Sequence, residues 1–200
     1  MKVVLSTRNR TKAAHVQAIF HATPVEILTL DDVNIIGAAK EDGDTLLENA
    51  IKKAEFAHAR VPLKHWVVAD DTGLFIDALD GAPGVHAARW AGPDATNERI
   101  IAHTLGMLTG VKDRAATFET ALALIDPFGK RTFFSGKVRG TVLTSPRGPR
   151  REGMPYSSIF VPDGETRVWA EMTVEEENVR SHRGQAFAAM RLFIAQKHWV

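Results

Sequence analysis

The chain begins with a short apolar, β-branched run, KVVL, followed by the polar stretch STRNRTK. This predicts a strand over residues 2–6 and a polar strand-to-helix turn. Ala14, Val16, Ile19 and Phe20 then fall on one side at helical spacing, predicting a helix over residues 11–20. A second apolar run gives a strand over 25–30. The polar loop GAAKEDGD leads to a long helix over 45–60, with Leu46, Leu47, Ala50, Ile51, Ala54 and Phe56 largely sharing a face. Residues 66–69 form a buried strand that runs into two adjacent acids, Asp70 and Asp71, and residues 76–79 read as extended.

The second half alternates differently. DGAPG is a turn, Trp90 reads as core, and Asp94 is placed to cap a helix ending near residue 108. Residues 116–126 and 131–138 are strand-like and joined by PFGK, the pattern of a hairpin. Residues 145–155, rich in Pro, Gly and Arg, form a loop, and 157–161 return to strand. Thr173 and Glu176 make a capping box over a short helix, and Ser181 caps a last helix reaching about Lys197. There is no internal repeat or low-complexity linker. The order β-α-β-α-β, then paired strands, then helices, predicts one mixed α/β domain over residues 1–200 with a central sheet flanked by helices.

Composition narrows the function classes. The chain has 200 residues, 44% hydrophobic and 24% charged, as in an ordinary globular protein. Its 25 basic and 24 acidic residues leave a formal charge of +1, so no global field draws in a nucleic acid polymer. With no cysteine, disulfides, thiolate metal sites and thiol nucleophiles are excluded. No apolar stretch approaches the ~20 residues of a membrane span, and the first apolar run is too short for a signal segment. A cytoplasmic protein is expected.

The candidate chemistry centres on VVADDTGLFID. Adjacent carboxylates need partners or a cation. Asp-Asp-Thr-Gly suits a plain turn, and it also suits a metal and phosphate site. The turn Thr7-Arg8-Asn9-Arg10-Thr11-Lys12 lies at a helix start, where free N–H groups and lysine favour an anion, although it lacks the glycines of a nucleotide-triphosphate loop. Glu41, in EDGD, precedes a helix whose dipole favours acids; it could instead meet Asp70 or Asp71 across a cleft and share Mg2+, which takes few protein ligands. Ser181 as cap would put His182 and Arg183 in the first helical turn, where cations oppose the dipole, so a solvated pair and a ligand-binding pair fit equally. The loop Arg147 to Gly153 reads as a solvated basic loop. Neither a nucleophile elbow nor a zinc-spaced His pair is present.

Taken together these motifs resemble the inosine triphosphatases, the pyrophosphatases of non-standard purine nucleoside triphosphates. STRNRTK is similar to that family's T-x-N-x-x-K turn, and DTLLENAIKKA to its E-N-A-x-x-K-A helix. VADDTGLFIDALDGAPGVHAARWAG resembles its long A-D-D-S-G-L signature. FSGKVRGTV, SPRG and AEM…EEENVRSHRGQA follow in order, so the resemblance covers nearly the whole chain.

The resemblance implies a two-lobed mixed α/β fold with an elongated sheet and the active site in the cleft between the lobes. It implies a homodimer that uses Mg2+ to cut ITP, dITP and XTP between the α- and β-phosphates, releasing a monophosphate and pyrophosphate. Asp71 would be the general base and a metal ligand, with Glu41 and Asp70 as further acids. Thr7, Arg8, Asn9, Arg10, Thr11, Lys12 and Thr72 would hold phosphates and sugar. His182 and Arg183 would reach the purine, beside Met154, Pro155, Tyr156, Ser157 and Glu177. Asp71 near a metal is expected to keep a low pKa.

The departures from the family pattern concentrate where the base would be read. The family's G-F-G-Y-D-P-I-F stands here as Gly-Met-Pro-Tyr-Ser-Ser-Ile-Phe, so Met154 replaces the stacking aromatic and Ser157 the aspartate. Glu177 replaces the lysine of E-E-K-N, and His15 stands for the usual Glu. The hydrolytic centre is thus expected to be kept while base selection is altered: Glu177 would repel a 6-oxo group unless it pairs with Arg183 or Arg180, and it could instead accept a hydrogen bond from an amino-bearing base. A nucleotide-binding protein with little catalysis is the competing reading.

Overall fold

The fold was analysed in a computed structural model, which describes residues 1–62 and 65–196. Strand β1 (Lys2–Leu5) leads through the polar turn to helix α1 (Arg10–Phe20), strand β2 (Glu26–Thr29) and helix α2 (Leu46–His58). Strand β3 (Trp66–Ile76) is followed by the short β4 (Pro83–Gly84), helix α3 (Asn97–Met107), and the long strands β5 (Ala115–Ile125) and β6 (Arg131–Val142). Strand β7 (Phe160–Pro162) and helices α4 (Val174–Arg180) and α5 (His182–Ala195) complete the chain. The sheet order is β2-β1-β3-β5-β6-β7, with β4 paired to β3. β1 runs parallel to β2 and β3, whereas β3, β5, β6 and β7 pair antiparallel. The mixed α/β expectation holds.

Side-chain alternation along the strands sorts the core into three clusters. Val3, Leu5, Val68, Leu122 and Leu124 face α1 and α5, burying Val16, Phe20, Phe187 and Met190. Val4, Val67, Ala69, Ala123 and Ile125 face α2, where Ala50, Ala54 and Ala57 let the helix lie close. A third cluster lies further along β3 and β5, where Leu74, Ile76, Ala116 and Phe118 pack with Ile100, Phe160 and Trp169. β3 and β5 therefore cross from one lobe to the other. The polar interruption Asp70 to Gly73 falls between the cores, in register with Thr120, Ala121 and Leu122.

Several local expectations change. Asp70-Asp71-Thr72-Gly73 is neither a turn nor a strand end: β3 runs straight through it, because ten consecutive residues pair with β5. Ile76 closes β3, and residues 77–79 are a 3-10 turn rather than extended. Ser157 and Ser158 also lie in a 3-10 turn, Pro155–Ser158, so the strand begins later, at Phe160. Thr96, not Asp94, caps α3 by accepting from the Arg99 N–H. On α1 the buried positions are Ala13, His15, Val16 and Phe20, with Ala14 outside. Trp90 is half-buried, edge-on to His103. The hairpin, the Thr173/Glu176 capping box and the Ser181 cap are all present. The expected end of the last helix at Lys197 lies outside the described residues. Among those described, no helix is long and apolar enough to cross a membrane.

Gly136 on β6 lets the start of α5 approach the sheet: a Cβ there would come within 2.1 Å of the His182 carbonyl oxygen. Gly136→Ala is expected to destabilise the fold by about 1–3 kcal/mol, as over-packing does. Urea unfolding should show a lower midpoint at unchanged slope.

Candidate active site

The turn between β1 and α1 is locally determined. Asn9 caps α1 with its side-chain oxygen, which accepts the Lys12 N–H at 3.0 Å, and Thr7 Oγ1 accepts the Asn9 N–H at 3.1 Å. The Asn9 amide also donates across to the Gly153 carbonyl at 3.0 Å. Gly153 has φ +67°, and a Cβ there would meet that amide at 2.4 Å, so the approach needs glycine. Lys12, in the first turn of α1, sets its ammonium 3.1 Å from Asp70 Oδ2. Burial lowers the Lys12 pKa, with Asp70 working in the opposite direction.

The two adjacent acids share no partner. Successive side chains of a strand point to opposite faces. Asp70 faces α1 and α5, where Lys12 and Arg183 (Nε at 3.5 Å) meet it. Asp71 faces α2, where Lys53 Nζ donates to Oδ1 at 2.5 Å and the Asn49 amide reaches Oδ2 at 3.4 Å. The same Lys53 ammonium lies 3.2 Å from Glu41 Oε2. Glu41 and Asp71 thus meet as expected, through a lysine. Burial raises the Lys-paired Asp71 above the ordinary carboxylate value, although Lys53 opposes it. Burial also opposes ionisation of Asp70, but Lys12, Arg183 and Lys53 together outweigh it and hold Asp70 well below that range. Of the two acids, Asp70 is the one held low by the protein's own cations. Placing Asp70 with Glu41 and Asp71 as one acidic set is corrected by the strand pleat. Among the described residues no three acids or histidines cluster as a ready metal site. The pair Glu41 and Asp71, already sharing one cation, suits an ion that takes only one or two carboxylates from the protein.

Beside these charges lies a cleft of about 100 Å³. Met154, Pro155, Tyr156 and Ser157 line it, with Ala87, Phe118 and Trp169 as further apolar wall, and Lys12, Thr72, Glu177, His182 and Arg183 as its polar groups. His182 stacks on Phe118 at 4.6 Å between centroids. Burial, then the Arg183 charge, keeps its pKa well down, so the imidazole is neutral. His182 Nδ1 has no hydrogen-bond partner, and neither has Arg183 Nε, whose 3.5 Å approach to Asp70 is an ionic contact only. Thr72 Oγ1 is 2.7 Å from Thr120 Oγ1 and 3.4 Å from Asp70.

Not every expected residue reaches the cleft. Arg8 turns away, donating to the Ile35 and Gly37 carbonyls at 2.5 Å each, with Asp31 nearby; it ties down the loop after β2. Arg10 and Thr11 border a neighbouring depression with Glu152. The Tyr156 hydroxyl donates to the Ala87 carbonyl, tying its loop to the segment after β4, and Ser157 Oγ donates to the Met154 carbonyl within its own loop. Glu177 pairs with neither Arg180 nor Arg183. Arg180 goes to Glu165, and Glu177 contacts Arg151, from the loop read as solvated.

Three residues of the site were given no role above, although two of them, Asn49 and Lys53, stand in the E-N-A-x-x-K-A helix. Lys53 and Asn49 lie one helical turn apart on α2, a polar pair on the face that otherwise carries small alanines. That spacing was the available signal. Arg151 offered none, since its partner Glu177 is remote in sequence.

Comparison with known proteins follows this geometry. Residues 3–193 match the model of the Ham1 family. A dITP/XTP pyrophosphatase of Geobacter sulfurreducens is 40% identical over 95% of this chain and 94% of its own. One of Porphyromonas gingivalis is 41% identical over 96% and 97%. The structure of a HAM1 protein from Coxiella burnetii superposes with a TM-score of 0.85 at 31% identity, covering 98% of this chain and 100% of that one. A nucleoside-triphosphatase / dITP/XTP pyrophosphatase from Mycobacterium abscessus gives 0.71 at 35%, over 95% and 98%.

His15, buried on α1 behind the cleft, generates a pH prediction. Burial first, then Arg183 and Arg151, lowers its pKa to about 4, so its 3.7 Å approach to Glu177 is not an ion pair. The unfolded chain protonates this group near its ordinary 6.5, before the folded one does. Stability is therefore intact above that pH and falls as pH drops from 6.5 towards 4. Wild type should lose about 1–2 kcal/mol more than His15→Gln between about pH 7 and pH 5, measured by urea unfolding of both proteins.

Proposed function

This chain belongs to the Ham1 family, and from that premise we propose that it is a pyrophosphatase of deaminated purine nucleoside triphosphates. The reaction splits ITP, dITP or XTP between the α- and β-phosphates, giving the monophosphate and pyrophosphate, and so clears the nucleotide pool. The observation that carries this reading is the placement of two lysine–aspartate pairs, Lys12–Asp70 and Lys53–Asp71, back to back on β3 beside a cleft with apolar walls. Phosphoryl-type transfer needs positioning and charge stabilisation more than covalent help. A binding protein with little catalysis has no need of Asp71, Glu41 and Lys53 held together.

Each group then has a role. Lys12 and the first turn of α1 hold phosphate oxygens, where the helix N-terminus favours an anion. Asp70 keeps Lys12 and Arg183 extended into the cleft. Glu41 and Asp71 would hold Mg2+, which neutralises the polyphosphate and eases deprotonation of water. Asp71, raised by burial, orients the attacking water and takes its proton. Thr7, Asn9 and Thr72 border the phosphate and sugar positions. The apolar walls take the purine face, and His182 and Arg183 supply unpaired polar atoms to its edge. The working form, on the family resemblance, is a cytoplasmic homodimer acting on free nucleotides.

The test is a panel of nucleoside triphosphates with Mg2+, assayed for pyrophosphate release. Asp71→Asn is expected to lower kcat for ITP by about 10²–10⁴-fold, the usual worth of a general base. An unchanged rate would remove Asp71 from the reaction. Release of orthophosphate in place of pyrophosphate would overturn the bond assignment.

A further inference from the structure

Glu177 is an unusual wall for a nucleotide site. It is a carboxylate, 1% exposed, on a cleft meant for an anionic substrate. Its orientation is not accidental. Arg151 holds Oε2 and is itself fixed by donation to the Met172 carbonyl at 2.5 Å. No hydrogen bond from the described residues reaches Oε1, whose near neighbour, neutral His15, stands 3.7 Å off. Burial pushes the Glu177 pKa up, while Arg151 and Arg183 pull the other way. An acceptor on a cleft wall with no protein donor can take one from a ligand. The same cleft is lined by the opposite kind of group, the donor Arg183.

An acceptor and a donor lining one cleft define a pattern that a base edge must complement. A 6-oxopurine shows an acceptor at O6 beside a donor at N1–H. A 2-amino group adds a second donor on the same edge. A 2-oxo group places an acceptor there instead, and the xanthine ring gives up a proton readily near neutral pH, becoming anionic. A 6-aminopurine reverses the first two positions. Sites built to hydrogen-bond a substrate reject analogues that leave their polar groups unpaired. Resting on the pyrophosphatase reading above, we propose that Glu177, held by Arg151, determines base specificity by accepting from N1–H and a 2-amino group. The cleft thus ranks hypoxanthine and guanine triphosphates above xanthine and adenine triphosphates. This sets the chain apart from relatives named for XTP.

The experiment compares kcat/KM for ITP, GTP, XTP and ATP by pyrophosphate release, in wild type and Glu177→Gln. The glutamine keeps the shape, can still accept from Arg151, and presents an N–H to a 2-oxo group. In wild type, XTP is expected at least tenfold below ITP, with GTP within tenfold of it. In the variant the XTP to ITP ratio should rise at least tenfold and GTP should fall. Wild type that cleaves XTP as well as ITP, or a ratio that does not move in the variant, overturns the proposal. Calorimetric titration of wild type with IMP, GMP and XMP reads the same order without turnover and without a variant. If no triphosphate is cleaved, the hydrolytic reading fails on its own, and the order of monophosphate binding still decides the role of Glu177. Monophosphates bound with equal affinity would then overturn it.

Discussion

The pleat of β3 is the constraint on which the site depends. Two adjacent carboxylates in a flexible loop would repel and scatter. In a strand paired along ten residues, they are forced to opposite faces of the sheet. Each then collects its own cation from a different helix: Lys12 from α1 for Asp70, Lys53 from α2 for Asp71. The separation also splits their titration. Asp70, with Arg183 added, stays firmly ionised, while Asp71 is left closer to a proton-accepting state. One acid anchors two cations, Lys12 and Arg183, and the other is held by Lys53.

That strand can carry charges at its middle because its ends are held by separate apolar cores. Val67, Val68 and Ala69 are buried in one lobe and Leu74 and Ile76 in the other, all with no exposed surface. The polar segment between them is therefore rigid without being packed in hydrocarbon. Breaking one partner of a buried pair costs about 3–5 kcal/mol, so these pairs lie where the scaffold is least yielding. The helices serve the same end. Alanines on α2 bring Lys53 and Asn49 against the sheet, and glycine at 136 brings the α5 N-terminus, with His182 and Arg183, into the cleft.

The charges form a continuous series through the cleft. Glu177 and Arg151 lie at one end, Arg183 is next, and Asp70 and Lys12 lie at the other. In a low-dielectric interior such neighbours influence one another more than they would in water. The two ends are thus linked through Arg183, whose charge acts on both Glu177 and Asp70. Met154, Tyr156 and Ser157 contribute shape here, because the two hydroxyls are spent on backbone carbonyls.

The sequence by itself determined what short-range physics decides. Alternation and helical spacing located the strands, the β5–β6 hairpin, the Ser181 cap and the capping box at Thr173, since each depends on residues a few positions apart. The motif order was enough to point to Asp71, Lys12, Glu41, His182 and Arg183. Only the tertiary structure decided which acid met which cation. The turn-forming letters Asp-Asp-Thr-Gly became strand because β5 paired with them, and Arg8 left the site because the loop after β2 offered two carbonyls. Arg151 entered it because folding set the 145–154 loop against α4, joining charges 26 positions apart. Local rules constrain backbone conformation, whereas partners for buried charges are chosen by desolvation across the whole fold, a quantity that no window of sequence contains.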